Sequence, residues 1–594
     1  MNDDSRTTSI DESASPGDAT QLWLNRALWL ALLLAGGLSL SSSLTDPDLW
    51  GHVQYGRDLL RDGVPAVTTY SYAVDDYRWI NHENLAEITF AVVVDTLGPE
   101  ALLLAKLLLG MGMLALMMRH AQRQGTPLIV AGGVALLVAT NISFHWSVRP
   151  QLFSYMYFTL LTALLAWCFQ GWEGSWHLRF RRAAASETGA SIVYSSRRMR
   201  YLWLAPVIFF FWANSHGGFA AGFCVFVAYL ALRSIEALLT TGPKSLGLLA
   251  RFALMIAAAA AATLLNPYGP RLHLWLLQSL GAPRPEIIEW WPPELLTANA
   301  LTLWMMMGLW AAGLMFSRRS RDFTQAMLMT ITLWQSLEHQ RHIPFFAILF
   351  GFWMPPHIAS LIGRLRLTSD TRPNAQDLAP YMKWVLAGGF AVAFALLGFK
   401  YYDRLRDLRV EKDIYPVAAV EYIAEHDLTG KMVVTYNWAQ YIIAAFGPRG
   451  PGDDGILVGF DGRFRTCYPQ EVVDINFDLL LGDPPNLRWR GPSSPPFDGG
   501  HRVLEYRQPD LVLISRFQEH SGYVVEQHRD EWVLLYQDEL AQLWGRKSRY
   551  DDPTSADYIP LAERDISDAP QEGFASWPAI PPRRSNVGRV ASDR

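Results

Sequence analysis

Apolar residues in the first two thirds of the chain gather into long blocks, and polar residues fall between the blocks rather than alternating with them. A membrane-spanning helix needs about 20 mostly apolar residues. Runs of that kind lie near 23–43, 99–118, 127–143, 151–170, 201–214, 217–236, 250–266, 300–316, 323–337, 342–363 and 381–399. The pattern predicts a polytopic α-helical membrane protein, with about eleven transmembrane helices across residues 23–400. A shorter apolar run, 84–97, is expected to be a partial span or to lie along the surface.

Beyond residue 400 the pattern changes to short runs separated by turn residues. "YPVAAVEYIAEHDLTGK" predicts a helix stopped by Gly430. "KMVVTY", "GILVGFDGR" and "DLVLISR" are short and β-branched, as strands are, and "EWVLLYQDELAQLWGRK" predicts a terminal hairpin. Residues 401–548 therefore read as an α/β domain. The polar N-terminus, 1–22, and the Pro-, Ser- and Asp-rich tail, 549–594, are predicted to be disordered.

Charge gives the layout an orientation. Arg and Lys collect in 119–124, 177–200, 317–322 and 363–372, and at Arg233, Lys244 and Arg251. These segments share one side if the spans alternate, and that side should be cytoplasmic. The N-terminus is then cytoplasmic. The loop 44–84 and the C-terminal domain are extracytoplasmic, the layout of a multi-pass protein of a bacterial inner membrane. Residues 1–20 lack the basic-then-apolar order of a cleavable signal, so the first run is expected to remain as an anchor.

Composition narrows the chemistry. Half of the residues are hydrophobic and 23 are Trp, while the net charge of −5 offers no basic surface for nucleic acid. The three cysteines, Cys168, Cys224 and Cys467, form no disulfide framework and no CxxC metal site. The C-terminal domain carries neither GxGxxG nor a P-loop.

Candidate chemistry concentrates in the external loops. In "DPDLWGH", Asp46 precedes Pro47 and suits a helix N-cap, leaving Asp48 free to share a helix face with His52. "WINHENLAE" adds His82 and Glu83, with Glu87 on the same face as Glu83. Asp48, His52 and Glu83 are the candidate ligands for a divalent cation, Mg or Mn; capping and a solvated helix face are the structural alternatives. Arg149 in "VRPQLFSY", Asn214 and His216 in "WANSHGGF", Glu289 in "IIEWW", and His339, Arg341 and His342 in "EHQRHIPFF" all fall at external ends of spans. Singly, each could be an interface anchor. Together they predict an external site, absent from the cytoplasmic loops.

The segments "DPDLWGH", "WINHENLAE", "RPQLFSY", "WANSHGGF", "NPYG" and "RHIPFFA", followed by "YNWAQYI" and "FDGR", resemble in this order a group of bacterial polytopic membrane proteins similar to GT-C superfamily glycosyltransferases. That superfamily places catalytic acids in its first external loop. Position 51, where the group often carries a second Trp, is Gly51 here. The resemblance implies transfer of a sugar from a polyprenyl-phosphate donor to a glycan, lipid or protein acceptor outside the cytoplasm. In that reading Asp48 is the general base, with Asp46 beside it, and Arg149, Arg341, His216 and His342 hold the donor phosphate. No metal is obligatory, because a lipid phosphate is already a competent leaving group. Two other functions fit the same chain: a lipid-linked glycan transporter or flippase, and a non-catalytic envelope assembly protein. Polar residues at the external ends rather than at mid-membrane count against a transporter.

Overall fold

A computed structural model of the protein describes residues 16–172, 177–178, 192–365, 379–448 and 454–582. The chain is a polytopic helical membrane protein with a C-terminal sheet domain. Among the described residues, seven helical stretches are long and apolar enough to cross a bilayer. There are eight if Gln340–Trp353 and Pro355–Arg364, which meet at a bend of 60°, make one span.

The sequence pattern predicted about eleven, and the difference lies in particular segments. The 201–214 run forms a 3-10 segment, Arg200–Leu204, followed by a helix of only nine residues, Ala205–Ala213. Phe323–Glu338 reaches sixteen residues. The runs at 217–236 and 250–266 belong to one apolar stretch, Phe219–Thr263, interrupted by a 3-10 turn at Gly242–Ser245. The 84–97 run is the helix Asn84–Leu97, and its buried residues include Asn84 and Glu87. Residues 1–15, most of the basic 177–200 loop and 366–372 lie outside the described residues.

The transmembrane helices pack around aromatic and aliphatic side chains such as Phe158, Phe209, Trp212 and Phe346, all fully buried. Their outer surfaces stay apolar: Trp384 is 79% exposed and Ile129 is 71% exposed. A soluble protein would not leave such a belt uncovered, and lipid tails cover it without cost. The first and last spanning helices pair: the Tyr401 hydroxyl donates to the Leu34 carbonyl, and Trp23 meets Phe390 edge-on.

The C-terminal domain is built on a six-stranded sheet. Its order is Ile456–Val458, Gly430–Val434, Leu511–Ser515, Ala541–Arg546, Trp532–Gln537 and Asp565–Ile566. The first three strands are parallel; Ala541–Arg546 pairs antiparallel with Leu511–Ser515 and forms a hairpin with Trp532–Gln537. Leu511–Ser515 is buried throughout, as a covered parallel strand should be. Leu511 and Leu513 enter one core, and Val512 and Ile514 another.

The tail departs from its predicted disorder. Phe574–Ser576 pairs with Arg409–Glu411, Asp565–Ile566 extends the main sheet, and Trp577 is buried. Backbone pairing and one buried indole order a segment whose average composition is polar. The tail's last residues, 583–594, lie outside the described residues. At the other end, the helix Pro16–Ser39 begins inside the 1–22 segment predicted to be disordered.

The segment 44–84 merges with the C-terminal domain. Tyr70 and Tyr72 exchange backbone hydrogen bonds with Val458 at the sheet edge. Ser43 and Thr45 do the same with Arg409. Trp50 sits against Tyr415 and Tyr441 and donates to the Pro578 carbonyl. Residues 49–79 and the domain thus share one hydrophobic core. Helix Leu49–Asp62 also crosses Asn84–Leu97 closely. A Cβ on Gly56 would stand 2.1 Å from the Glu87 carbonyl oxygen, so only glycine permits that approach. A Cβ on Gly51 would overlap the buried Gln440 amide, which occupies the space a side chain at position 51 would need.

Candidate functional site

The "DPD" segment folds as a turn before its helix. Helix Leu49–Asp62 begins after Asp48, which does not cap it with its side chain. Asp46 Oδ1 accepts the Asp48 N–H at 3.0 Å, and the Asp46 carbonyl accepts the Leu49 N–H. Asp46 therefore stabilises a turn rather than capping the helix as the sequence suggests, because the N-cap position falls at Asp48; only its Oδ1 is engaged, and Oδ2 accepts no hydrogen bond from the described residues.

Arg149, at the start of helix Gln151–Cys168, gathers three carboxylates. Its Nε donates to Asp46 Oδ1, its Nη2 to Asp48 Oδ2 at 2.6 Å and its Nη1 to Glu289 Oε1 at 2.7 Å. Each arm of the guanidinium is thus occupied by an acid. Burial lifts the Asp48 carboxyl above its usual range against the pull of Arg149, with repulsion from Asp46 adding to the rise. Burial would also raise Glu289, but Arg149 and Arg341 outweigh it and hold that carboxyl low.

Asp46 and Arg149 open onto a cavity of about 890 Å³ between helix ends and the C-terminal domain. Arg284, Arg341 and Arg465 line its walls. None of the three forms an ion pair with a carboxylate among the described residues. Arg284 and Arg341 each lie 4.5 Å from the centroid of Trp290. Arg465 stacks on Phe464 and Trp489, and its Nη1 is buried with no partner. Burial, with repulsion from Arg465 and Arg341, pulls Arg284 down to about 10, and burial also lowers Arg465. The three arginines form a cluster of positive charge with no direct ion pair among the described residues, an arrangement that can receive an anion.

The C-terminal domain supplies one wall of this cavity. Asp461 and Arg463 form a buried pair at 2.6 Å, and Arg463 stacks against both Tyr55 and Trp79 at 4.6 Å. The Ile80 N–H donates to the Thr466 carbonyl. These contacts fix the 459–468 loop on the segment 44–84. Arg488 and the Trp489 N–H hold Glu286, so the loop carrying Arg284 and Glu289 is tied to the same domain.

A second polar cluster lies around Glu83. His52 Nδ1 is 3.2 Å from Glu87 Oε1 and 3.9 Å from Glu83 Oε2. His82 Nε2 and His216 Nε2 each lie 3.7 Å from Glu83 Oε1. Distances of 3.7–3.9 Å exceed a hydrogen bond and leave room between the groups. His52, Glu83 and Glu87 offer one ligand atom each, all within 4.8 Å of one another. Asn81 orients Glu87 through a 2.6 Å hydrogen bond to its other oxygen.

Burial opposes a charge on His52, yet its hydrogen bond to Glu87 and the charges of Glu83, Glu87 and Asp48 lift it to about 9. Burial raises Glu83 to about 7 and lowers His82 to about 4. It holds His216 neutral as well. His216 Nδ1 accepts the Gly218 N–H, so the ring proton resides on Nε2, facing Glu83. The structure changes the predicted ligand set of Asp48, His52 and Glu83: Asp48 is taken up by Arg149, and Glu87 stands in its place beside His52 and Glu83. One imidazole with two carboxylates suits Mn better than Mg.

Of the residues singled out in the sequence, Asp46, His82, Arg149, His216, Glu289, Arg341 and His342 line the large cavity. Asp48 is held at its edge through Arg149, and His52 and Glu83 belong to the buried cluster. Asn214 and His339 are structural. Asn214 bonds the Phe210 and Leu265 carbonyls, and His339 bonds the Trp290 carbonyl. Arg284 and Arg465 were not anticipated. Arg465 stands two residues beyond the "FDGR" segment, and nothing local connects it to a loop more than 170 residues upstream.

No protein-family model and no curated protein matches the sequence. Among solved structures, the chain is similar to the archaeal oligosaccharyltransferase AglB from Archaeoglobus fulgidus in complex with an inhibitory peptide and a dolichol-phosphate. The TM-score is 0.49 at 11% identity, over 83% of this chain and 69% of that one. It is similar to the Archaeoglobus fulgidus oligosaccharyltransferase tethered with an acceptor peptide, with a TM-score of 0.49 at 11% identity, over 94% of this chain and 75% of that one. It is also similar to ArnT from Cupriavidus metallidurans bound to undecaprenyl phosphate, with a TM-score of 0.46 at 12% identity, over 91% of this chain and all of that one.

Proposed function

We propose that the protein is a GT-C-like membrane glycosyltransferase of a bacterial inner membrane, moving a sugar from a polyprenyl-phosphate donor to an acceptor outside the cytoplasm. One observation carries the reading: Asp46, with one oxygen unengaged, lines a cavity in which Arg284, Arg341 and Arg465 form no ion pair among the described residues. The N-terminus is cytoplasmic, and the C-terminal domain closes the site from the other side.

In this mechanism the three arginines hold the donor phosphate and stabilise the charge it gains as it leaves. Asp46 Oδ2 takes the proton from the acceptor hydroxyl. The acceptor oxygen bonds to the anomeric carbon, and the bond from that carbon to the phosphate oxygen breaks with its electron pair on the phosphate. Arg149 does not bind donor in this scheme; it fixes Asp46 through Oδ1 and leaves Oδ2 unengaged. Burial raises the Asp48 carboxyl, but Asp48 does not line the cavity, and reach decides before basicity. His52, Glu83 and Glu87 would hold a divalent cation, which would supply positive charge to the site when bound.

The test is turnover. Purified protein in nanodiscs, given labelled polyprenyl-phosphate sugars, should release the lipid phosphate, and Arg341→Gln should suppress the release. Intact donor after prolonged incubation with a panel of such sugars and acceptors would count against the reading.

A further inference from the structure

A second chamber of about 560 Å³ lies on the far side of Asp46. It shares Asp46, Phe144 and Ser147 with the arginine-lined cavity, so the two meet at the acid. Its chemistry is opposite. No Lys, Arg or His lines it, whereas Glu411 and Asp413 do, and neither forms an ion pair among the described residues. Burial, with Asp413 nearby, pushes the Glu411 carboxyl up, as expected for an acid lacking a cation.

The remaining lining suits a polyol. Gln518 accepts from Thr435 through Oε1 and keeps its amide N–H groups unengaged among the described residues. Asn437 is exposed at the opening, and Thr45, 7% exposed, has a hydroxyl with no hydrogen-bond partner. Phe517 stands 70% exposed beside them, a flat apolar surface for the C–H face of a sugar ring. The volume is that of an ordinary small-molecule site, about 300–1,000 Å³.

We propose that this chamber binds the acceptor, and that the acceptor is a saccharide carrying no anionic group. The inference rests on the glycosyl-transfer reading, because it gives the hydroxyl that Asp46 deprotonates a place to enter. The anionic donor and the uncharged acceptor are sorted by charge. Phosphate is drawn to the arginines on one side, and Glu411 and Asp413 repel it from the other. The incoming hydroxyl loses its proton to Asp46 Oδ2 as its oxygen bonds to the anomeric carbon, and the lipid phosphate departs into the first cavity.

Two measurements on the same full-length protein in nanodiscs separate this inference from the reading beneath it. The first is retention of a glycan array holding neutral and anionic oligosaccharides. The second is retention of undecaprenyl phosphate. Neutral glycans should bind, and Asn437→Trp, which fills the opening, should weaken them at least about tenfold. Undecaprenyl phosphate should bind that variant as it binds the unaltered protein. Capture of anionic glycans only, capture of none, or equal binding by Asn437→Trp overturns the chamber assignment. Neutral glycan bound without any lipid phosphate would instead sink the transfer reading and leave a glycan-binding chamber standing.

Discussion

Replacing Asp46 by Asn isolates the proposed base. The structure gives Asp46 two tasks on two oxygens. Oδ1 accepts from the Asp48 N–H and Arg149, and Oδ2 is left without a hydrogen bond from the described residues while Asp46 lines both cavities. An Asn carbonyl in the Oδ1 position keeps the turn and one hydrogen bond from Arg149, which still holds Asp48 and Glu289. What is lost is the difference between a charge-assisted and a neutral hydrogen bond, about 1–2 kcal/mol of stability. The base disappears entirely, so turnover should fall about 10²–10⁴-fold, an increase in barrier of about 2.7–5.4 kcal/mol. Asp48→Asn removes one arm of the Arg149 clamp from a carboxylate that lines neither chamber, and turnover should change by less than about tenfold. Release of labelled lipid phosphate at saturating donor, alongside thermal melts, reads both variants. Near-normal turnover in Asp46→Asn, or an equal collapse in Asp48→Asn, would refute the assignment.

Other outcomes follow from the same geometry. Arg341→Gln should weaken retention of undecaprenyl phosphate about 10- to 150-fold, the worth of one charge-assisted contact of about 1.5–3 kcal/mol; Arg149→Gln should spare retention and lose turnover, and the reverse pattern would return Arg149 to the phosphate. Gly56→Ala sets a methyl against the Glu87 carbonyl and should destabilise the fold by about 1–3 kcal/mol in a thermal melt; an unshifted melt would mean that the two helices can separate freely. Protein loaded with Mn and desalted should retain one ion by elemental analysis, lost in Glu83→Gln; an ion retained by that variant would place the site elsewhere. Single cysteines at Ser196 and Asp530, both exposed, should label from opposite sides of the membrane in intact cells once Cys168, Cys224 and Cys467 are replaced; labelling of both by an impermeant reagent would overturn the orientation.

What the sequence made legible was set by how local each signal is. Long apolar runs marked most of the spanning helices, but a run alone does not reveal where a helix breaks. The 3-10 segment Arg200–Leu204 shortens one expected span, and the turn Gly242–Ser245 divides a longer apolar stretch. The gathering of polar residues between the spans singled out Arg341, His216 and Glu289, and all three line the large cavity. The roles of Asp46, Asp48 and Arg149 depended on direction. Pro47 suggested a helix beginning at once, whereas the chain makes a turn first, leaving Asp46 at the junction and Asp48 against Arg149. Arg149 reads as a free cation until residues 46, 48 and 289 are brought to it. Arg284 and Arg465 meet across a distance in sequence that no periodicity spans. The tail reads as polar, yet the strand Phe574–Ser576 and the Trp577 indole bind it to the domain.

The most direct measurement is a cryo-EM structure of the protein in nanodiscs with undecaprenyl phosphate. Phosphate density should lie among Arg284, Arg341 and Arg465, on the Asp46 side of the large cavity, with Arg149 still bound to its three carboxylates. Phosphate density at Arg149 with the acids released, or in the chamber lined by Glu411 and Asp413, would contradict the assignment of donor and base.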